Sequence, residues 1–300
     1  MSLVAPKPNS SDPLARASHG SVINTELSLA DFEALRVIVL QHTGISLNAS
    51  KLELVKRRFL PRLRALSLQD FSSYVEYVNA NFDTEGVSFC NAITTNLTSF
   101  FRESHHFELV GTMLRAMLTR REHGRGKIRL WSAGCSAGQE AYSLAITLRE
   151  NFPELDRLDI RILATDLDEN CLNTARSGVY PLKEFDRMPE HLIHRYFSEA
   201  PSPGKHMPGQ CFEAREALKS LITFNKLNLM HTWPLKGPFD FILCRNVFIY
   251  FDKDTQQQIL RKFSALQPIG AYLCLGHSEI IPNPPSLGYQ MTGKTAYKRI

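Results

Sequence analysis

Residues 130–146 read LWSAGCSAGQEAYSLAI. An apolar run enters, small residues follow, then Glu140, then apolar residues at helical spacing. This is a strand turning sharply into a helix, with a carboxylate at the corner. Gly134 and Gly138 would let the backbone approach a ligand with no Cβ in the way. A helix beginning near Gln139 turns its free N–H groups and its dipole toward the same space. The stretch is neither G-x-G-x-x-G nor a P-loop with its lysine, and a purely structural tight turn is the competing reading.

Working outward, KIRLWSAG, DIRILATD, FDFILCRNV and GAYLCLGHSE are short apolar runs ending in small or polar residues. Helical patterns separate them: GQEAYSLAITLRENF, DENCLNTARSG and DKDTQQQILRKFSAL. Such alternation predicts βαβ units, a Rossmann-like α/β domain with a mostly parallel sheet under helices on both faces, over residues 106–300. The closing TAYKRI suits an antiparallel edge strand. Residues 201–216, rich in Pro and Gly, interrupt the alternation. They predict a small β-rich insertion near 198–225, with SLITFNKL as its flanking strand.

Residues 25–105 have a different texture, helical throughout. Ser28 precedes a helix with Phe32, Leu35 and Val39 on one face and Gly44 as its stop. The next places Leu52, Val55, Phe59 and Leu63 together, and Pro61 should kink or divide it. A third carries a Ser67 cap signal and an apolar side of Phe71, Val75 and Val78. A fourth pattern, EGVSFCNAITTNLTSFFRE, runs into a loop. Residues 1–24 are rich in Pro, Ser and Asn without a continuous apolar stretch, which predicts a disordered tail rather than a signal peptide.

Hydrophobic content of 43% and a formal charge of +5 are ordinary for a soluble globular protein. No apolar stretch is long enough to insert into a membrane. The six cysteines are scattered, with no C-x-x-C pair and no zinc-like spacing, so buried, reduced thiols, no metal and a cytoplasmic setting are expected.

The second strand ends in Asp166, 28 residues beyond Gly138, where nucleotide-binding sheets grip ribose hydroxyls. Asp168 could instead simply cap the helix that follows. A pyrophosphate on the glycine loop would find Glu140 unwelcome. A cationic ligand without phosphate tolerates both acids, and S-adenosylmethionine is one: ribose, ammonium and sulfonium.

NLTSFFRE (96–103), SAGCSAGQEAYSLA (132–145), ATDLDENCLNTARSGVY (164–180), NLM (228–230) and CRNVFIYFD (244–252), in this order, closely resemble the CheR family of chemotaxis receptor methyltransferases. The similarity covers roughly residues 27–300. It implies methyl esterification of glutamate side chains on chemoreceptor cytoplasmic helices, with S-adenosyl-L-methionine as donor and S-adenosyl-L-homocysteine as product. It further implies that Asn96, Thr98 and Arg102 serve the cofactor and the active site from the linker. Gly134, Glu140 and Asp166 would hold the cofactor, with Asp166 on the ribose. Asn228 and Leu229 would flank the adenine, Arg245 and Asn246 would lie beside the cofactor, and Tyr250 near the transferred methyl. Taken alone, Arg102 also reads as a helix-end cation and Tyr250 as a core residue. No histidine or cysteine presents itself as a general base, and His42, His105, His106 and His277 read as surface or structural.

Residues 51–64 hold Lys51, Lys56, Arg57, Arg58, Arg62 and Arg64 against Glu53 alone. A solvated helix face is the ordinary reading. The resemblance favours docking of acidic receptor helices by Lys56, Arg57, Arg58, Arg62 and Arg64. Nucleic acid is not expected as a partner, because no aromatic interleaving or reader motif accompanies the charge. The loop after RYF (195–197) is longer than in enteric members that tether to a receptor's C-terminal pentapeptide, which leaves that tether open.

Overall fold

The computed structural model describes residues 24–120, 127–202, 204 and 209–300. The expected tail lies outside these except for Asn24, whose N–H donates to the Gln69 carbonyl at 2.7 Å. The loop comparison after residue 197 falls partly on 203 and 205–208, also outside them.

The N-terminal helices are α1 (Leu29–Thr43), α2 (Leu52–Ala65), α3 (Phe71–Ala80) and α4 (Phe82–Ile93). Ser28 caps α1 by accepting the Asp31 N–H, and Gly44 ends it in the left-handed region at φ 74°. Phe32, Leu35, Val39, Val55, Phe59, Leu63, Phe71, Tyr74, Val78 and Phe89 share one buried core. Two local expectations give way. Asp70, not Ser67, caps α3; Ser67 has φ 55° and belongs to the turn that ends α2. Pro61 does not divide α2, which continues to Ala65. Val55 and Phe59 before the proline and Leu63 after it are all fully buried, and that packing outweighs the missing N–H.

The second unit runs α5 (His105–Arg120), β1 (Lys127–Ala133), α6 (Gln139–Asn151), β2 (Asp159–Asp166), α7 (Glu169–Ser177), β3 (Val179–Pro181), α8 (Glu190–Tyr196), β4 (Phe197–Ala200) and β5 (Cys211–Ala214). It continues with α9 (Glu216–Lys219), β6 (Ile222–Lys226), β7 (Phe241–Cys244), α10 (Lys253–Leu266), β8 (Tyr272–Leu275), β9 (Tyr289–Gly293) and β10 (Ala296–Arg299). Among the described residues the main sheet has the order β6-β2-β1-β7-β8-β10-β9. Its first five strands are parallel and β10 runs antiparallel to both neighbours. The chain leaves β1 in one direction for β2 and β6, then returns to β7 on the other side. That reversal opens a crevice at the carboxyl end of β1, where sheets of this kind bind ligands.

Two strand placements correct the expectations. The final strand is not the edge, because the chain from Tyr289 to Gly293 folds back on it through a turn with Thr295 at φ 50°. SLITFNKL is no flank of the insertion. Its strand β6 pairs with β2 from Ile162↔Ile222 to Asp166↔Lys226, while the small separate sheet is β3-β5-β4. All six cysteines are free thiols, five of them buried and Cys171 half-buried. No helix among the described residues is long and apolar enough to cross a membrane.

Candidate active site

The corner after β1 is built by hydrogen bonds from both arms of the turn. The N–H groups of Gly134 and Cys135 both donate to the Thr165 carbonyl, at 2.8 and 2.9 Å, tying the loop to β2. Gly134 has φ 82°, and a Cβ there would sit 2.4 Å from Val247 Cγ2. Gly138, at φ 97°, begins α6 where a Cβ would lie 2.8 Å from that of Ala175. Both glycines are therefore required by the fold itself.

Glu140 stands in the first turn of α6, buried, its Oε1 accepting from Ser132 Oγ at 2.6 Å and its Oε2 from Arg245 Nη1 at 3.0 Å. Asp166 closes β2 and accepts the Ser136 N–H at 2.7 Å and the Asp168 N–H at 2.9 Å. Burial nevertheless dominates and pushes its carboxyl up to about 6. Asp168 does cap α7, accepting from the Asn170 and Cys171 N–H groups. Its other oxygen holds the linker, accepting from Thr94 Oγ1 at 2.8 Å and Asn96 Nδ2 at 2.6 Å. The Asn96 carbonyl accepts from Ser136 Oγ, so linker and corner are stitched twice.

Arg102 is half-exposed and donates to the Leu97 carbonyl at 3.0 Å, leaving most of its guanidinium free. Arg245 is buried. Besides Glu140 it reaches the Arg102 carbonyl and lies 5.7 Å over the Phe107 ring. Asn246 takes φ 59° and its N–H donates to Glu279. Asn228 ties the two units, donating to the His42 carbonyl at 2.7 Å, and the Tyr250 carbonyl accepts from the Ser46 N–H at 2.7 Å.

All these elements converge on one cleft of about 920 Å³, its open mouth included. Asn96, Thr98, Arg102, Gly134, Glu140, Asp166, Asn228, Leu229, Arg245, Asn246 and Tyr250 all line it. Reading the sequence missed Thr43 and Ile45, by which the helical unit forms part of the wall, and Leu167 and Val247, which add apolar lining. Thr43 and Ile45 lie outside every quoted motif and are signalled only by their place beside Gly44; Leu167 and Val247 sit inside quoted motifs, next to Asp166 and Asn246.

The basic segment divides. Arg62 is engaged inside the helical unit: Nε and Nη2 form a paired contact with the buried Glu85 at 2.8 and 2.7 Å, and Tyr74 Oη donates to the same carboxylate. Arg58 donates to Thr95 Oγ1 at the cleft's edge. Lys56, Arg57 and Arg64 have no side-chain partner among the described residues. His106 is wholly buried, with Nε2 at 3.2 Å from the Lys294 carbonyl, and burial pushes its pKa down to about 4. Glu103, His105 and His106 bring ligand atoms within 4.8 Å of one another. The Arg245 guanidinium, 3.4 Å from Glu103, already supplies positive charge there.

The cleft fits S-adenosylmethionine. Two carboxylates face it, a glycine at its rim admits a close-lying ligand, and no lysine stands ready for a phosphate among the lining residues. Fold and site define an S-adenosylmethionine-dependent methyltransferase. Two adjoining family models match the chain: CheR methyltransferase, all-alpha domain, over residues 30–94, and CheR methyltransferase, SAM binding domain, over 96–297. A chemotaxis protein methyltransferase 2 of Pseudomonas aeruginosa is 40% identical over 271 residues, 89% of this chain and 92% of that one. A chemotaxis protein methyltransferase of Salmonella typhimurium is 39% identical over 278 residues, 90% of each chain. A probable chemotaxis protein methyltransferase of Rhizobium etli is 38% identical over 262 residues, 87% of this chain and 96% of that one. The chain belongs to the CheR methyltransferase family.

Proposed function

We propose that this protein esterifies glutamate side chains on the cytoplasmic helices of methyl-accepting chemoreceptors, acting in the cytoplasm as a protein-glutamate O-methyltransferase. The observation that carries the reading is the half-exposed Arg102 beside a cleft walled by Glu140 and Asp166. When bound, the cofactor supplies an activated methyl group on a sulfonium. The remaining work is positioning. A glutamate with an ordinary pKa of about 4.3 is already ionised at neutral pH, so no base is needed. His106, buried and neutral, sets its Nε2 against the Lys294 carbonyl and does not line the cleft.

Arg102 presents the acceptor carboxylate, and Tyr250 lines its approach. Asp166 and Glu140 hold the cofactor's ribose and cationic end, and Asn228 with Leu229 flanks its base. Thr98, Asn96, Gly134, Arg245 and Asn246 complete the wall. Fixing both reactants in line can lower a barrier by roughly 7–11 kcal/mol at best. Lys56, Arg57, Arg58 and Arg64 steer the acidic receptor helix, an attraction that salt weakens.

The test is incubation with methyl-labelled cofactor and purified receptor cytoplasmic domains. Base-labile methyl esters on glutamate are expected. Label held in base-stable amide or amine linkages overturns the reading.

A further inference from the structure

Glu103 lies behind the cleft wall and is not among its lining residues. It ends the linker turn at φ 56°, next to Arg102 and just ahead of α5, with its side chain only 12% exposed. One oxygen is 3.1 Å from His277 Nδ1; the other is 3.4 Å from Arg245 Nη2 and 3.6 Å from His106 Nδ1. Although burial acts in the opposite sense, Arg245 and His277 hold its carboxyl below the ordinary glutamate range. Arg245 thus stands between two carboxylates, Glu140 toward the cleft and Glu103 away from it. His106, neutral at pH 7, adds no positive charge to the group.

We propose that Glu103 is a positioning residue for the methyl donor: with Glu140 already paired to Arg245 at 3.0 Å, Glu103 adds the second carboxylate that leaves the group net negative beside the cleft. This rests on the methyltransferase reading above. A buried guanidinium needs an anionic partner. With Glu140 as its sole carboxylate the pair would be neutral and would offer a cationic ligand no net charge. With Glu103 present, two carboxylates and one guanidinium leave a net charge of −1 on this group, and His277, on Glu103's other oxygen, has a side chain 68% exposed to solvent. The donor carries a sulfonium charge that its demethylated product lacks, so the surplus favours the donor over the product. A residue that merely braced the turn would affect both alike.

The experiment is calorimetric titration of the full-length wild type, Glu103→Gln and Glu103→Asp with S-adenosylmethionine and, separately, S-adenosylhomocysteine. One charge about 10 Å away, at an effective dielectric of about 20, corresponds to roughly tenfold in affinity. Glu103→Gln is therefore expected to weaken donor binding about tenfold more than product binding. Glu103→Asp, which keeps the charge, should hold the wild-type donor-to-product ratio within about twofold whatever its stability. Equal losses for both ligands in the Gln variant overturn the proposal, as does an Asp variant whose ratio shifts as far as that of Gln. If the wild type binds both ligands yet makes no methyl esters on receptor domains, the functional reading fails and this inference stands on its binding data. If it binds neither, both fall.

Discussion

The carboxyl of Asp166, pushed up to about 6 by burial, makes ligand binding a titration in the physiological range. At pH 7 about nine-tenths of such a group is ionised; at pH 5 only about one-tenth is. If ribose binding requires the carboxylate, the Kd for S-adenosylhomocysteine should rise about tenfold between pH 7 and pH 5. An aspartate at its ordinary value of about 3.9 would stay more than nine-tenths ionised and give a flat profile. The assay is isothermal titration at pH 7, 6 and 5 on the wild type and on Asp166→Asn. The variant should bind weakly, and its profile should lose the step at about 6, which assigns that step to Asp166. Stability should move the other way. An acid whose folded pKa lies above its unfolded value costs stability at neutral pH, here about 3 kcal/mol. That cost is relieved as pH falls through about 6 toward 4. Asp166→Asn should therefore unfold at higher denaturant than wild type at pH 7, by less than the full amount, since its amide nitrogen would face the Ser136 or Asp168 N–H. A wild-type Kd equal at pH 5 and pH 7 refutes the reasoning.

Replacing Arg102 by Ala should lower kcat by about 10², the cost of a misaligned reactant, while product affinity changes little; equal losses in both would show that it serves binding instead. Arg62→Ala leaves the buried Glu85 carboxylate without its paired donor and should destabilise the protein by about 2–4 kcal/mol in urea, whereas Arg57→Ala and Arg64→Ala should stay within about 0.5 kcal/mol and instead slow methylation of receptor fragments, most at low salt. Gly134→Ala forces an alanine into φ 82° against Val247 and should cost about 1–3 kcal/mol together with cofactor affinity; a wild-type Kd and midpoint would contradict the corner's geometry.

Much of this protein is local, and local features can be read from residue order. Ser28, Gly44 and Asp168 mark helix ends because capping joins groups two to four residues apart. The alternation of apolar runs with helical patterns shows a parallel sheet because the two periods differ. The cleft's principal residues were legible as well, since the βα corners that carry them bear short motifs in a fixed order. Other features depend on partners remote in the chain. Arg62 reads as one more cation of a basic run until Glu85, on another helix, claims it. Pro61 reads as a break until the buried residues on either side of it hold the helix together. SLITFNKL reads as part of an insertion until its pairing with β2 makes it the sheet's edge. Glu103 reads as the last letter of a motif until folding sets it opposite Arg245, 142 positions away. The sequence by itself determined which elements form and where the cleft's acids and arginine lie, because caps, periods and turns are short-range. Only the tertiary structure decided which charges remain free for a ligand or a receptor and which are spent inside, because ion pairing and burial depend on distance in space rather than along the chain.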